Sequence, residues 1–125
     1  MITFTKERKV PLRAGSYKAI INNIQEFQYN AGKNKPSSLV YDLSVFTGDE
    51  IIDVPIRVFT NGKDFDDFSY KVANNYCPDD PKGVTSPEKH IGTVVQAEIS
   101  VYFKEEGSQY LRLDSYAPYS EGGGH

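Results

Sequence analysis

The sequence predicts an all-β domain with a small α component: five antiparallel strands closed into a barrel, with one helix between strands three and four. Three observations predict it. Apolar and polar residues alternate with period two in five segments. Turn residues separate the segments in two places where a hairpin is needed. A single segment, and only one, carries its apolar residues at helical spacing.

The first strand spans Ser16 to Phe27, entered at Gly15. Tyr17, Ala19 and Ile21 share a face, and the phase breaks before Ile24 and Phe27. Asn22-Asn23 at the break reads as a bulge, which lets a long strand bend and serve two partners. In the second strand Leu39, Tyr41, Leu43 and Val45 alternate with Val40, Asp42, Ser44 and Phe46. In the third Ile52, Val54, Ile56 and Val58 alternate with Asp53, Pro55, Arg57 and Phe59. Gly48-Asp49-Glu50 joins the two as a hairpin. Pro55 lacks an N–H, which assigns that strand to an edge or a bulge.

The helical segment is Asp64 to Tyr76. Phe65, Phe68, Val72 and Tyr76 form its apolar stripe, with Asp64 expected as N-cap and Asp66 and Asp67 in the first turn. Cys77 to Ile91, with Pro78, Pro81, Gly83 and Pro87, reads as a loop. The fourth strand alternates Val95, Ala97, Ile99, Val101 and Phe103 with Gln96, Glu98, Ser100, Tyr102 and Lys104. Glu105-Glu106-Gly107-Ser108 turns the chain. The fifth alternates Leu111 and Leu113 with Tyr110, Arg112, Asp114 and Tyr116. Five short strands expose edges unless they close, and the helix stripe suits the open end of such a barrel.

At 125 residues the chain has material for one core. The expected organisation is an N-terminal extension over 1–14, a barrel over 15–117 and a flexible tail over 118–125 ending in Gly122-Gly123-Gly124-His125. No apolar run of membrane-spanning length occurs, and the basic residues near the start precede no apolar stretch of a signal peptide. The single Cys77 excludes an intrachain disulfide framework and a cysteine-based zinc site, and points to a reducing, cytoplasmic location. His90 and His125 are the only histidines, and no motif for a metal, a nucleophile or a phosphate-cradling loop is present. No cofactor and no enzymatic activity are expected.

The order of elements, with the helix between strands three and four, resembles the OB-fold, a five-stranded Greek-key barrel, over residues 15 to 117. Size and strand character are similar to the small single-stranded DNA-binding proteins of bacteriophages. The resemblance implies oligonucleotide or oligosaccharide binding on strands two and three, flanked by the loops after strands one and four. Two features depart from the cellular members of that group. Their acidic tail with its terminal aromatic-proline group is absent, and the chain has no tryptophan. Phe and Tyr also stack, so the second departure leaves base stacking open.

The residues themselves point the same way. Sequence-tolerant binding of single strands needs cations along the phosphates and rings for the bases. Phe46, Arg57, Phe59, Tyr102, Lys104, Tyr110, Arg112 and Tyr116 fall on the non-core phase of the strands. The loop after strand one adds Tyr29, Lys33 and Lys35 with no acid. The acidic turn after strand four is expected to lie off a phosphate path or to face a protein partner. Any one such ring is as readily packed as free, and Tyr102 with Tyr110 could be a cross-strand pair. The interleaving of rings with cations carries the expectation. The net charge of −3 hides an asymmetry: residues 1–38 hold seven basic and two acidic residues, the remainder seven and fifteen.

The expected partners are single-stranded DNA, with RNA not separated from it by sequence, other copies of the chain, and replication or recombination proteins. A protein-interaction module, favoured by the acidic second part, and an oligosaccharide binder are the competing readings. The basic residues beside the rings favour nucleic acid.

Overall fold

A computed structural model of the chain describes residues 2–4, 10–27, 37–60, 62–105 and 107–120. The elements are β1 (Gly15–Phe27), β2 (Ser38–Phe46), β3 (Ile51–Phe59), α1 (Gly62–Tyr76), a 3-10 turn (Pro87–His90), β4 (Val94–Phe103) and β5 (Gln109–Pro118). The five strands form one antiparallel sheet in the order β3-β2-β1-β4-β5.

β1 is long enough to pair on both sides. Its first half, Gly15 to Ile20, pairs with β4, and Ala19 to Phe27 pairs with β2. Ile21 lies opposite Leu43 and Asn23 opposite Asp42, so Asn22 is the extra residue of a bulge. The bulge restores the alternation beyond it: Ile24 packs on the core and Phe27 faces out. The β2–β3 and β4–β5 hairpins turn at Gly48 and Gly107, both at positive φ, where a side chain would strain the backbone.

The inward phases supply the core. Ala19, Ile21, Leu43, Val45, Ile56, Val95, Ala97 and Leu113 are all buried there, each large aliphatic side chain contributing about 1.5–3 kcal/mol. Leu12, ahead of the first strand, is buried with them, and the Tyr17 hydroxyl donates to the Arg13 carbonyl 2.8 Å away to hold that segment. α1 packs on β5 and buries Phe68 and Val72. It starts at Gly62, two residues earlier than the spacing predicts. Asp64 therefore sits inside the first turn and is engaged by Arg112, rather than capping the helix. No helix among the described residues is long and apolar enough to cross a membrane.

Two expectations about the sheet change. A closed barrel requires a ladder between β3 and β5, the two ends of the sheet. They lie against each other, but no pairing joins them among the described residues. Pro55 can donate nothing from β3, and the side chains of Arg57, Phe59, Tyr110 and Arg112 line the gap that is left there. The second change is on β5. Glu98 opposes Ser115 and Ile99 opposes Leu113, so Asp114 is bulged out. The bulge inverts the phase, and Tyr116 is 1% exposed instead of facing solvent.

The segment between α1 and β4, expected as a loop, contains the 3-10 turn and places His90 in the core. Gly83 within it has no room for a side chain: a Cβ there would run into the Cβ and Sγ of Cys77. Gly83→Ala is expected to lower unfolding stability by about 1–3 kcal/mol, read as a reduced urea midpoint at unchanged slope. An unchanged midpoint would show that the segment relaxes freely around Cys77.

A candidate nucleic-acid interface at the sheet seam

The gap between β3 and β5 is a groove of about 740 Å³. Arg57 and Phe59 line it from β3, Lys104 from the end of β4, Tyr110 and Arg112 from β5, and Phe65 from α1. Five residues singled out by sequence phase, from segments up to 55 positions apart, thus meet at one place.

Each wall pairs rings with cations. On the β3 wall the Arg57 guanidinium lies 5.3 Å from the Phe27 ring centroid, and its Nη1 donates to Ser38 Oγ at 2.6 Å. Ser38 is fully buried, so this bond anchors the guanidinium at the root of β2. Phe59 is 52% exposed beside it. On the opposite wall Tyr102 and Tyr110 face each other across the β4–β5 ladder and stack with centroids 5.7 Å apart. Arg112 covers the Tyr102 ring at 5.0 Å, and the Lys104 ammonium stands 5.9 Å from Tyr110. The Tyr102–Tyr110 pair is therefore a cross-strand contact, in which Tyr110 lines the groove and Tyr102 stands against Arg112.

The charge balance is not one-sided. Arg112 Nη2 is 3.0 Å from Asp64 Oδ1, and its Nε is 3.6 Å from Asp114 Oδ1. Both carboxylates line the groove. Arg112 is thus largely neutralised in place, and its planar fork holds the helix start to β5. Arg57 and Lys104 have no carboxylate partner among the described residues.

Two connections are rooted beside the groove. β1 ends at Phe27 and β2 begins at Ser38, which pairs with both Phe27 and Phe59. The β4–β5 connection leaves from Lys104, which lines the groove, and returns toward Tyr110, which lines it too. Tyr29, Lys33 and Lys35 belong to the first connection and lie outside the described residues.

Phe46 does not join the groove. It opposes Ile51 at the far end of β2, roughly 25 Å along the strand from Ser38. There the Lys18 ammonium sits between Phe46, at 5.4 Å, and Tyr119, at 4.8 Å. Asp64, Phe65 and Asp114 line the groove and Phe27 contacts Arg57, and the sequence assigned none of them to the site. Counting by twos from Asn23 on the far side of the bulge reaches Phe27, so that signal was present. No sequence signal places Phe65 against β3.

Tyr116 turns inward into a buried polar chain. Its hydroxyl is 2.8 Å from the Tyr41 hydroxyl and 2.6 Å from His90 Nδ1, and His90 Nε2 is 2.7 Å from Thr85 Oγ1. Tyr76 stacks on the imidazole at 4.1 Å. Burial pushes the Tyr41 hydroxyl up to about 12 and raises Tyr116 further still. Burial, with the nearby Lys89 charge, lowers His90. Comparison of the chain with family models, with curated proteins and with solved structures finds no match.

The His90 shift sets a direction for stability against pH. The folded imidazole binds its proton less readily than the unfolded one, whose value is near 6.5. The unfolded state therefore gains by protonation first, and stability held above pH 6.5 is lost as pH falls below it. Urea midpoints are expected to drop between pH 7.5 and 5.5, and His90→Gln to flatten that slope. An equal slope in the variant would show that His90 is not its source.

Proposed function

We propose that the chain binds single-stranded nucleic acid, DNA in the first instance, in the groove between β3 and β5. In this reading the fold is an OB-type barrel whose β3–β5 seam is left unpaired, lined by side chains, as the binding cleft. Strands are held by stacking and charge neutralisation, with no covalent step. The role is to cover and protect single strands during replication or recombination, in a bacteriophage or bacterial setting.

The observation that carries the reading is the pairing of rings with cations on both walls of one groove. Arg57 and Phe59 line one side, with Phe27 against Arg57, and Tyr110, Lys104 and Arg112 line the other, with the Tyr102 ring against Arg112. A base entering against Tyr110 takes the place of Lys104 on that ring and releases its ammonium toward a phosphate. Phe59 offers a ring face from the other wall. Because Asp64 and Asp114 hold Arg112, binding depends more on stacking than on charge. With Arg57 and Lys104 as the available cations, the slope of log affinity against log salt is shallow, about −0.7 per phosphate contacted. A single fold of this type covers on the order of 4–16 nucleotides, so linked copies would raise avidity.

The chain has no tryptophan, so its intrinsic emission is that of tyrosine. Oligo-dT at low salt is expected to quench it, and added salt to restore it. Tyr110→Ala and Phe59→Ala should each weaken binding by about 1–3 kcal/mol, while Phe46→Ala, at the other end of β2, leaves it unchanged. Asp64→Asn works in the opposite sense: it removes one of the two carboxylates that hold Arg112, tightens binding and steepens the salt slope, by up to about 0.7. The competing reading, a protein-docking face, draws on the same two carboxylates, which bring the groove near neutrality. It predicts no response to oligonucleotide at any salt.

A further inference from the structure

Two arginines line the groove, and the same edge of the guanidinium is used differently in each. Arg112 has both nitrogens of its Nε–Nη2 edge on carboxylates: Nη2 lies 3.0 Å from Asp64 Oδ1, and Nε lies 3.6 Å from Asp114 Oδ1. Arg57 is fixed from its other side. Its Nη1 donates to Ser38 Oγ at 2.6 Å, and its guanidinium carbon stands 5.3 Å from the Phe27 ring centroid. The Nε–Nη2 edge of Arg57 makes no hydrogen bond or ion pair with a described residue.

An exposed arginine keeps its rotamer freedom unless packing and hydrogen bonds take it. Here the Phe27 ring and the Ser38 hydroxyl both do so, and Ser38 is fully buried at the first position of β2. Satisfying Ser38 needs a single N–H, which a lysine or an amide would also supply. An arginine brings in addition a planar fork, whose parallel N–H groups match the paired oxygens of an anion. The ordering that an anion would otherwise impose on this side chain is already in place.

We infer that the Nε–Nη2 edge of Arg57 is a pre-set fork for one phosphate of the bound strand, with Ser38 and Phe27 as its positioning residues. This rests on the function proposed above, and it names what the β3 wall recognises: one nucleotide unit. Phe59 follows on the same face of β3, roughly 7 Å along the strand from Arg57, and is half exposed. One unit can therefore place its phosphate on the fork and its base on the Phe59 ring. Arg112, with its edge taken by Asp64 and Asp114, holds α1 to β5 instead. Lys104 supplies a point charge without a fork.

The test separates fork from charge. Arg57→Lys keeps the charge and loses the fork, Ser38→Ala keeps the guanidinium and loses its anchor, and Arg57→Gln loses charge and fork together. Tyrosine quenching by oligo-dT is measured for each over a range of salt, with urea midpoints to confirm folding. Arg57→Lys and Ser38→Ala are expected to weaken binding by about tenfold at an unchanged salt slope. Arg57→Gln should also flatten the slope, by about 0.7. Arg57→Lys, at an exposed position, keeps the test open should Ser38→Ala unfold. In the unaltered chain the Arg57 Nε–H NMR signal is expected to shift saturably with oligo-dT and with thymidine monophosphate, and not with thymidine. Tight binding by Arg57→Lys beside weak binding by Arg57→Gln reduces Arg57 to a charge and overturns the fork. Quenching that is unchanged in all three variants, with Arg57 Nε–H unmoved, overturns the fork and leaves the groove reading standing. A shift with acetate as large as with the nucleotide makes the edge a carboxylate site and overturns the phosphate assignment. No quenching and no shift with oligo-dT at any salt overturns the groove reading and the fork with it.

Discussion

The meeting of β3 and β5 without a ladder is the constraint on which the site depends. Had the two strands paired backbone to backbone, the space now lined by Arg57, Phe59, Tyr110 and Arg112 would have been closed by hydrogen bonds. Arg112 bridges to Asp64 at the start of α1 and to Asp114 on its own strand, so the helix and the end strand are fastened together beside the opening. Pro55 removes one donor from the facing strand. A sheet built this way keeps a groove on its surface at no cost in buried unpaired backbone, because the groove is open to water.

The two bulges decide which rings reach that groove. Asn22 in β1 shifts the phase so that Ile24 turns to the core and Phe27 to Arg57. Asp114 in β5 does the reverse further along, sending Tyr116 inward while Tyr110 and Arg112 stay out. One strand thus supplies both the wall of the groove and the central hydroxyl of the buried chain through Tyr41, His90 and Thr85. Core and site are coupled through β5, and α1 rests on both.

Much of this was legible in the chain, because period-two alternation is a local signal. The five strands, both hairpins, the Asn22 bulge and the inserted helix follow from spacing and turn residues alone. The Asp114 bulge was not legible: Leu111, Leu113 and their polar neighbours keep strict alternation up to it, and nothing in the residue types marks the slip. His90 lacked a visible partner because Tyr116 lies 26 positions away and reaches it only after that slip. The seam is likewise a non-local feature, since no local pattern states whether β3 and β5 will pair. The outward phase picked out five of the residues that line the groove, Arg57, Phe59, Lys104, Tyr110 and Arg112. Phe46 shared the phase but sits at the wrong end of its strand, a distinction of register that alternation does not carry.

The central claim is that single strands lie in the seam, against the rings of both walls. Photocrosslinking with a 5-iodouracil oligonucleotide, followed by mass spectrometry of the labelled peptides, tests it most directly. The account predicts adducts on Phe59, Tyr102 or Tyr110, lost in high salt. Adducts confined to residues remote from the seam, such as the exposed Tyr70 on α1, would contradict it.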